Sequence, residues 1–331
     1  MSVKVGLIGY GYWGPVLLRN FMANPNFRVT GVADRRDEKR RELAQRFPGL
    51  ALFADGSELI GSADSEAVVV ATPVETHHAF ASLALSRGKH VLVEKPLAGS
   101  VAQAEELVAI AKRNKLTLMV DHTFLFTGAV QAIRKLYTTG ELGRISYYDS
   151  MRVNLGLFQP DVNVLWDLAP HDLSIIDYLL DEEPGDVEAS GYCHINPGMP
   201  DIVYLTLHYP SKVIAHFNLS WMSPVKVRRI AIGGLKKMLV WDDLNREEKI
   251  KIYNSGIDFR EPRERETVIP GYRIGDIFSP RVNEREAVAG VIEHFRDVIA
   301  GRTQSILSGE RGLRVVRTLE AAQKILDKKL G

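Results

Sequence analysis

Val3-Lys4-Val5-Gly6-Leu7-Ile8-Gly9-Tyr10-Gly11-Tyr12-Trp13-Gly14-Pro15 decides the fold. Val3 to Ile8 reads as a buried strand. Pro15 to Met22 reads as a helix whose first turn tolerates the proline. Three glycines fill the turn between them. Alone, G-x-G-x-x-G says little. Between a strand and a helix it lays a pyrophosphate against free N–H groups at a helix N-terminus. Gly9 then allows the tight turn, Gly11 the approach of backbone to phosphate, and Gly14 close helix packing.

Outward from this loop the chain alternates strand and helix. Phe27 to Ala33 reads as a second strand ending at Asp34, about 20 residues past the glycines, where a carboxylate can accept from ribose hydroxyls. Arg35 and Arg36 follow, and either can stack on adenine or meet a 2′-phosphate. Asp37 to Phe47 reads as a charged helix and Ala67 to Ala71 as a buried strand ending in Thr72-Pro73. Thr76 to Arg87 is a helix, and Val91 to Glu94 a strand closed by Lys95-Pro96. Val101 to Asn114 is a helix, and Leu116 to Val120 a strand running into Asp121-His122. This alternation predicts a doubly wound parallel sheet over residues 1–122. Ligands of such sheets bind beyond the carboxyl ends of strands, so Thr72, Lys95 and His122 can line one crevice.

From about residue 123 the texture changes to alternating strands. Val203, Leu205, Leu207 and Tyr209 share one face, as do Val213, Ala215, Phe217, Leu219 and Trp221 after a Pro210-Ser211-Lys212 turn. Residues 123–331 are therefore expected to form an α+β domain with a large, mostly antiparallel open sheet. Helices are expected at Glu284 to Ala300 and Gly309 to Leu330. Too few helices lie nearby to cover both sheet faces, so a homodimer or homotetramer built on the sheet is expected.

Composition limits the partners. With 331 residues, two domains are the natural expectation. The chain is 45% hydrophobic and 25% charged with a net charge of +1, which gives no basic excess for nucleic acid or an anionic membrane. No apolar run approaches the roughly 18 residues of a membrane span. Cys193 is the single cysteine and the opening residues show no signal-peptide pattern, so a reducing cytoplasm is expected.

The second chemical stretch is Trp166-Asp167-Leu168-Ala169-Pro170-His171-Asp172. A helix starting here puts Asp167 and His171, four apart, on one face. A helix N-terminus favours neutral imidazole, which can accept a proton, while the adjacent carboxylates push the other way. Asp167 as a helix cap with His171 as a core histidine is the plainer alternative. Asp167, His171 and Asp172 lack tight metal-ligand spacing, and no metal is expected.

The glycine loop, Asp34, Ala71-Thr72-Pro73, Glu94-Lys95-Pro96 and Asp167-x-x-x-His171 together resemble the glucose–fructose oxidoreductase / inositol dehydrogenase / MocA family over essentially the whole chain. The resemblance implies a Rossmann domain, an interface-forming C-terminal sheet, and oxidation or reduction of a sugar or polyol. It implies a cofactor site of Gly9, Gly11, Tyr12, Trp13, Gly14, Asp34, Arg35, Thr72, Pro73, His77, Glu94, Lys95 and His122. NAD is expected, and NADP is possible beside Arg35 and Arg36. Catalysis is assigned to Lys95, His171 and Asp167. The family often has Asp-x-Gly-x-His-x-x-Asp; here Ala169 and Ser174 replace the glycine and last aspartate. The segment Met151 to Asn163 resembles enzymes acting on nucleotide sugars, including UDP-N-acetylhexosamine 3-dehydrogenases. Arg152, Asn154, Gln159, Asn163 and Trp166 are the expected substrate contacts, with Arg152 as the cation for phosphate. A free polyol or inositol substrate, a lyase that oxidises transiently, and a non-catalytic cofactor-sensing regulator are the alternatives.

Overall fold

The computed structural model describes residues 2–62, 64–156, 158, 162–258 and 271–330. The chain divides into two compact units. One is Met1–Phe126 with Arg285–Glu320; the other is Thr127–Glu284 with Ala321–Gly331.

The first unit is built on six strands: β1 (Val3–Ile8), β2 (Phe27–Ala33), β3 (Ala51–Phe53), β4 (Ala67–Val70), β5 (His90–Glu94) and β6 (Leu118–Asp121). All pair in parallel, in the order β3-β2-β1-β4-β5-β6. The order reverses between β1 and β4, which makes the sheet doubly wound. The strands are continuous apolar runs because they are covered on both faces. All four residues of Ala67–Val70 are buried, as are Val91, Leu92 and Val93. The connecting helices are α1 (Gly14–Ala23), α2 (Asp37–Arg46), α3 (Gly56–Gly61), α4 (His77–Ser86) and α5 (Val101–Asn114). Local chemistry sets several of their ends. The side chain of Ser100 accepts from Gln103 N to start α5, and Asp55 accepts from Ser57 N to start α3.

The second unit carries α6 (Gly128–Thr138) and α7 (Val164–Leu180) with an eight-stranded sheet. Its strands are β7 (Ile145–Leu155), β8 (Asp186–Tyr192), β9 (Ile202–His208), β10 (Ile214–Ser220), β11 (Met222–Gly234), β12 (Met238–Asp242) and β13 (Ile250–Tyr253). Three short ones follow: β14 (Gly256–Asp258), β15 (Gly271–Arg273) and β16 (Ile277–Phe278). The order is β16-β13-β12-β11-β7-β10-β9-β8, antiparallel except for β10 beside β7, while β14 and β15 pair apart. Val203, Leu205, Leu207, Ala215, Phe217 and Leu219 alternate inward and are essentially closed to solvent. Helix α7 packs on β7, β9 and β10, burying Leu165, Leu173, Ile176 and Leu179.

The sequence places everything after residue 122 in one domain. In the structure α8 (Ala287–Ile299) and the first half of α9 (Gly309–Leu330) belong to the first unit. Val120 N donates to Leu307 O at 2.9 Å, the Phe295 ring stacks on Phe27 at 6.2 Å, and Val101 N donates to the Glu320 carboxylate at 2.7 Å. The returning chain thus completes the apolar cover of the parallel sheet. No described helix is long and apolar enough to cross a membrane.

Candidate active site

The glycine loop of the first unit is a strained turn with several anchors. Gly9 has φ +97°, and a Cβ there would lie 2.3 Å from Ala71 O. A Cβ on Gly14 would lie 2.4 Å from Gly9 O, so both positions require glycine. Nothing lies within 4 Å of the corresponding point at Gly11, which leaves its backbone approachable. Tyr10 N donates to Asp34 Oδ2 at 2.7 Å, tying the loop to the end of β2. Trp13 Nε1 donates to Asp121 Oδ2 at 3.0 Å, tying it to the end of β6. Tyr12 at the crest is 89% exposed.

Asp34 is buried, whereas Arg35 and Arg36 beside it are exposed. Burial pushes the Asp34 carboxyl up, but the bonds from Arg36 and from Tyr10 N outweigh it and hold the group below its usual range. Gly9, Gly11, Asp34, Arg35, Thr72 and Pro73 all line one cavity of about 430 Å³. A dinucleotide fits this set: a turn that requires glycine at two positions, an approachable loop backbone and a buried anionic carboxylate in one cleft.

Beyond β4 and β5 the donors are partly spent on structure. His77 is 1% exposed, and its ring nitrogens lie 2.8 Å from Thr72 O and 2.8 Å from Pro96 O. It therefore lies between the carbonyls of the two strand-end turns. Thr72 Oγ1 is hydrogen-bonded to Thr76 Oγ1 at 2.7 Å. Glu94 stands opposite Asp121 in the register of β5 and β6. Its Oε2 accepts from Lys95 N at 3.2 Å, while Oε1 is sealed from solvent with no hydrogen-bond partner among the described residues. Burial, and then the neighbouring Asp121 carboxylate, push the Glu94 carboxyl well up.

His122 is 2% exposed, and neither ring nitrogen has a partner among the described residues. Burial, reinforced by the Lys95 ammonium, pushes it down to about 3, so it is neutral at pH 7. Asp121 accepts from Trp13 Nε1 and, at 2.5 Å, from Thr123 Oγ1.

In the second unit α7 starts at Val164, two residues before the expected Trp166. Asn163 is the cap: its Oδ1 accepts from Leu165 N at 3.0 Å and Trp166 N at 3.3 Å. Its Nδ2, and Trp166 Nε1, both donate to Gln323 Oε1, at 2.8 and 3.1 Å. Asn163 and Trp166 thus hold the helix end. Pro170 falls inside the helix. Asp167 is therefore not the cap but a first-turn residue, and its Oδ2 accepts from Trp221 Nε1 at 3.2 Å. His171, one turn on, is half-buried.

Arg152 is the largest departure. It is 4% exposed, and its Nε and Nη2 reach Asp172 Oδ2 and Oδ1 at 2.9 and 2.6 Å. Ser150 Oγ donates to the same carboxylate at 2.9 Å. Residues on β7 and α7, 20 apart in sequence, thus form a buried pair, and Arg152 is not the open cation expected for phosphate. Burial opposes the charge on Arg152, but Asp172 more than offsets this and raises it. Asn154 Nδ2 donates to Leu155 O at 3.1 Å. Gln159 lies outside the described residues. Asp186, Glu188 and His208 bring possible metal-ligand atoms within 4.8 Å of one another on β8 and β9. They form a cross-strand group in which His208 Nε2 lies 3.2 Å from Glu188 Oε1.

Asp121 and Trp221 are the side chains that sequence reasoning did not assign. Asp121 had a signal, since it ends a strand beside His122. Trp221 had only an alternating pattern that assigned it to the core.

Comparison with known proteins agrees with both halves. Residues 3–122 match the family model described as "Oxidoreductase family, NAD-binding Rossmann fold". Residues 130–240 match the "GFO/IDH/MocA C-terminal domain". A UDP-N-acetylglucosamine 3-dehydrogenase of Acidithiobacillus ferrooxidans is 28% identical over 321 residues, covering 96% of this chain and 95% of that protein. A solved structure named as that organism's UDP-N-acetylglucosamine 3-dehydrogenase GnnA superposes with a TM-score of 0.84 at 25% identity, over 100% of both chains. The scyllo-inositol 2-dehydrogenase (NADP(+)) IolU of Bacillus subtilis is 27% identical over 271 residues, 77% of this chain and 80% of that one.

Proposed function

The chain belongs to the Gfo/Idh/MocA oxidoreductases, enzymes with an NAD-binding Rossmann fold, and on that premise we propose that it oxidises a secondary hydroxyl of a sugar. The leading substrate is a UDP-N-acetylhexosamine and the leading position C3. The observation that carries the chemistry is α7, which places Asp167 and His171 one turn apart with the Asp167 carboxylate held by Trp221 Nε1. The substrate class rests on the end-to-end similarity to a UDP-N-acetylglucosamine 3-dehydrogenase.

Bound NAD supplies the hydride acceptor. His171 takes the hydroxyl proton as general base, so the carbinol oxygen does not have to lose it to water. Lys95 stabilises the negative charge that develops on that oxygen. Asp167 fixes His171 or a substrate hydroxyl, and its bond from Trp221 fixes Asp167 in turn. A second reading, a free polyol such as inositol, is favoured by one observation. The Arg152 guanidinium is committed to Asp172, which removes the local argument for a diphosphate contact.

Self-association on the open sheet face is part of the proposal. Met151, Tyr192, Tyr204 and Ile214 are exposed there, at 40, 70, 44 and 45%. The single cysteine supports a reducing, cytoplasmic setting.

The test follows NADH formation with UDP-N-acetylglucosamine, with 2-oxoglutarate added separately to recycle any retained cofactor. Inositol and free glucose are run in parallel. Lys95→Ala and His171→Ala should each lower turnover about 10²-fold or more, while His171→Ala still binds NAD. Efficient oxidation of inositol with no binding of any nucleotide sugar defeats the leading substrate. Near-normal turnover in either variant removes that residue from the chemistry.

A further inference from the structure

His77 opens α4, and both of its ring nitrogens face backbone carbonyls. Nδ1 lies 2.8 Å from Pro96 O, and Nε2 lies 2.8 Å from Thr72 O. A carbonyl oxygen only accepts, so each contact needs a proton on the facing nitrogen. A neutral imidazole carries one N–H and one lone pair. It would satisfy one carbonyl and aim its lone pair at the other. Turning the ring over does not remove the conflict. Carbon would then face both oxygens, and C–H···O contacts need about 3.3 Å or more. Two short contacts to two acceptors call for the imidazolium, which donates from both nitrogens.

The two acceptors belong to the turns that end β4 and β5. The first turn is closed on itself: Thr76 N and Oγ1 both donate to Pro73 O, at 3.0 and 2.8 Å. The second carries the chemistry, because Pro96 directly follows Lys95. Water does not take the place of either carbonyl readily, since His77 is 1% exposed. The charges on the elements packed against α4 act in both directions. Lys95 after β5, Lys112 and Arg113 in the last turn of α5, and the α4 N-terminus itself oppose a further cation. Glu58 on α3, Glu75 in the turn before α4, Glu94 ending β5, and Glu105 and Glu106 on α5 favour one, and β4 has no titratable group. Hydrogen bonds from a cation are about twice as strong as neutral ones, and here there are two.

We propose that His77 is a positioning residue for Lys95: as the imidazolium it donates to Thr72 O and Pro96 O together, clamps the turn after β5 to the turn after β4, and so fixes the backbone that carries the lysine. The charge and the clamp depend on each other, because loss of one proton leaves one carbonyl facing a lone pair. The effect on turnover rests on the reading of Lys95 as the group that stabilises the developing oxyanion. The charge of the ring does not rest on it.

The experiment has two arms on the full chain. The first is the long-range proton–nitrogen correlation spectrum of the histidine rings at pH 7, without cofactor or sugar, with the His77 signals assigned by their loss in His77→Gln. Two protonated nitrogens of nearly equal shift are expected. One protonated and one bare nitrogen overturns the proposal. The second arm uses His77→Gln as a mimic of the neutral ring, since its amide offers one donor and one acceptor. It should lower kcat about 10- to 100-fold with KM little changed, the scale of a displaced catalytic group. In a Lys95→Ala background the same replacement should change kcat by no more than about 2-fold, because its effect passes through the lysine. Near-normal kcat in His77→Gln, or an equal loss with and without Lys95, overturns the positioning role. A wild type that turns over no sugar removes that role together with the reading of Lys95, while the ring spectrum still decides the charge.

Discussion

Replacing Arg152 with methionine should unfold the second unit more readily without acting first on the substrate. In the native protein Asp172 has three side-chain donors: Arg152 Nε, Arg152 Nη2 and Ser150 Oγ. Methionine removes two of the three and leaves a carboxylate of 1% exposure with a single hydroxyl. Removing one partner of a buried pair costs about 3–5 kcal/mol, because the other charge stays behind. Against a typical domain stability of about 5–15 kcal/mol this is roughly a fifth or more. Trp166, Trp221 and Trp241 lie in the second unit and Trp13 alone in the first, so urea unfolding followed by tryptophan fluorescence reports mainly on the second unit. The double replacement Arg152→Met with Asp172→Leu should recover most of the loss, since no charge is then stranded. If Arg152→Met instead keeps its urea midpoint and weakens UDP-N-acetylglucosamine binding relative to free N-acetylglucosamine, Arg152 is a phosphate ligand after all and the buried-pair reasoning fails.

Two further outcomes follow from the first unit. His122 titrates at about 3 when folded and near 6.5 when unfolded. Its folded value is depressed, so its share of stability is complete above pH 6.5 and is lost as pH falls below that. About 2 kcal/mol should disappear between pH 7 and pH 5 by proton linkage. Urea midpoints at the two pH values should show this loss in the wild type and much less of it in His122→Gln; an equal slope in both would refute it. Trp13→Phe removes the indole N–H from Asp121 and should cost the first unit about 1–3 kcal/mol. Faster amide exchange across residues 9–14 should accompany the loss, and unchanged exchange would show that the bond does not hold the loop.

What was legible in the sequence had its cause nearby in the chain. The parallel strands could be read because Ala67–Val70 and Val91–Val93 are apolar throughout, and Gly9 because a strand-to-helix turn needs its positive φ. The alternation of β9 and β10 was readable for the same local reason. Helix α6 carries little sequence signal, because its buried set is only Ala129, Val130 and Ile133, too short a stripe to stand out. The start of α7 at Trp166 is two residues late, because Asp167 rather than Asn163 reads as the capping side chain. Asn163 nevertheless caps the helix two residues earlier and leaves Pro170 inside.

The site residues divide along the same line, and the division explains the direction of each error. Asp34, Lys95 and His122 could be placed at strand ends from the sequence because each follows a strand of the parallel sheet. Arg152 and His77 were assigned to ligands because an isolated cation or imidazole in a sequence has no visible partner. The structure supplies the partners from distant segments: Asp172 across from β7 for the arginine, and the Pro96 carbonyl after β5 for the histidine. A polar side chain read without its partner is always read as more available than it is. Arg36 shows that the same error can arise at a distance of two residues. Its side chain could be assigned to adenine or phosphate from the sequence, but only the geometry brings its fork back onto Asp34.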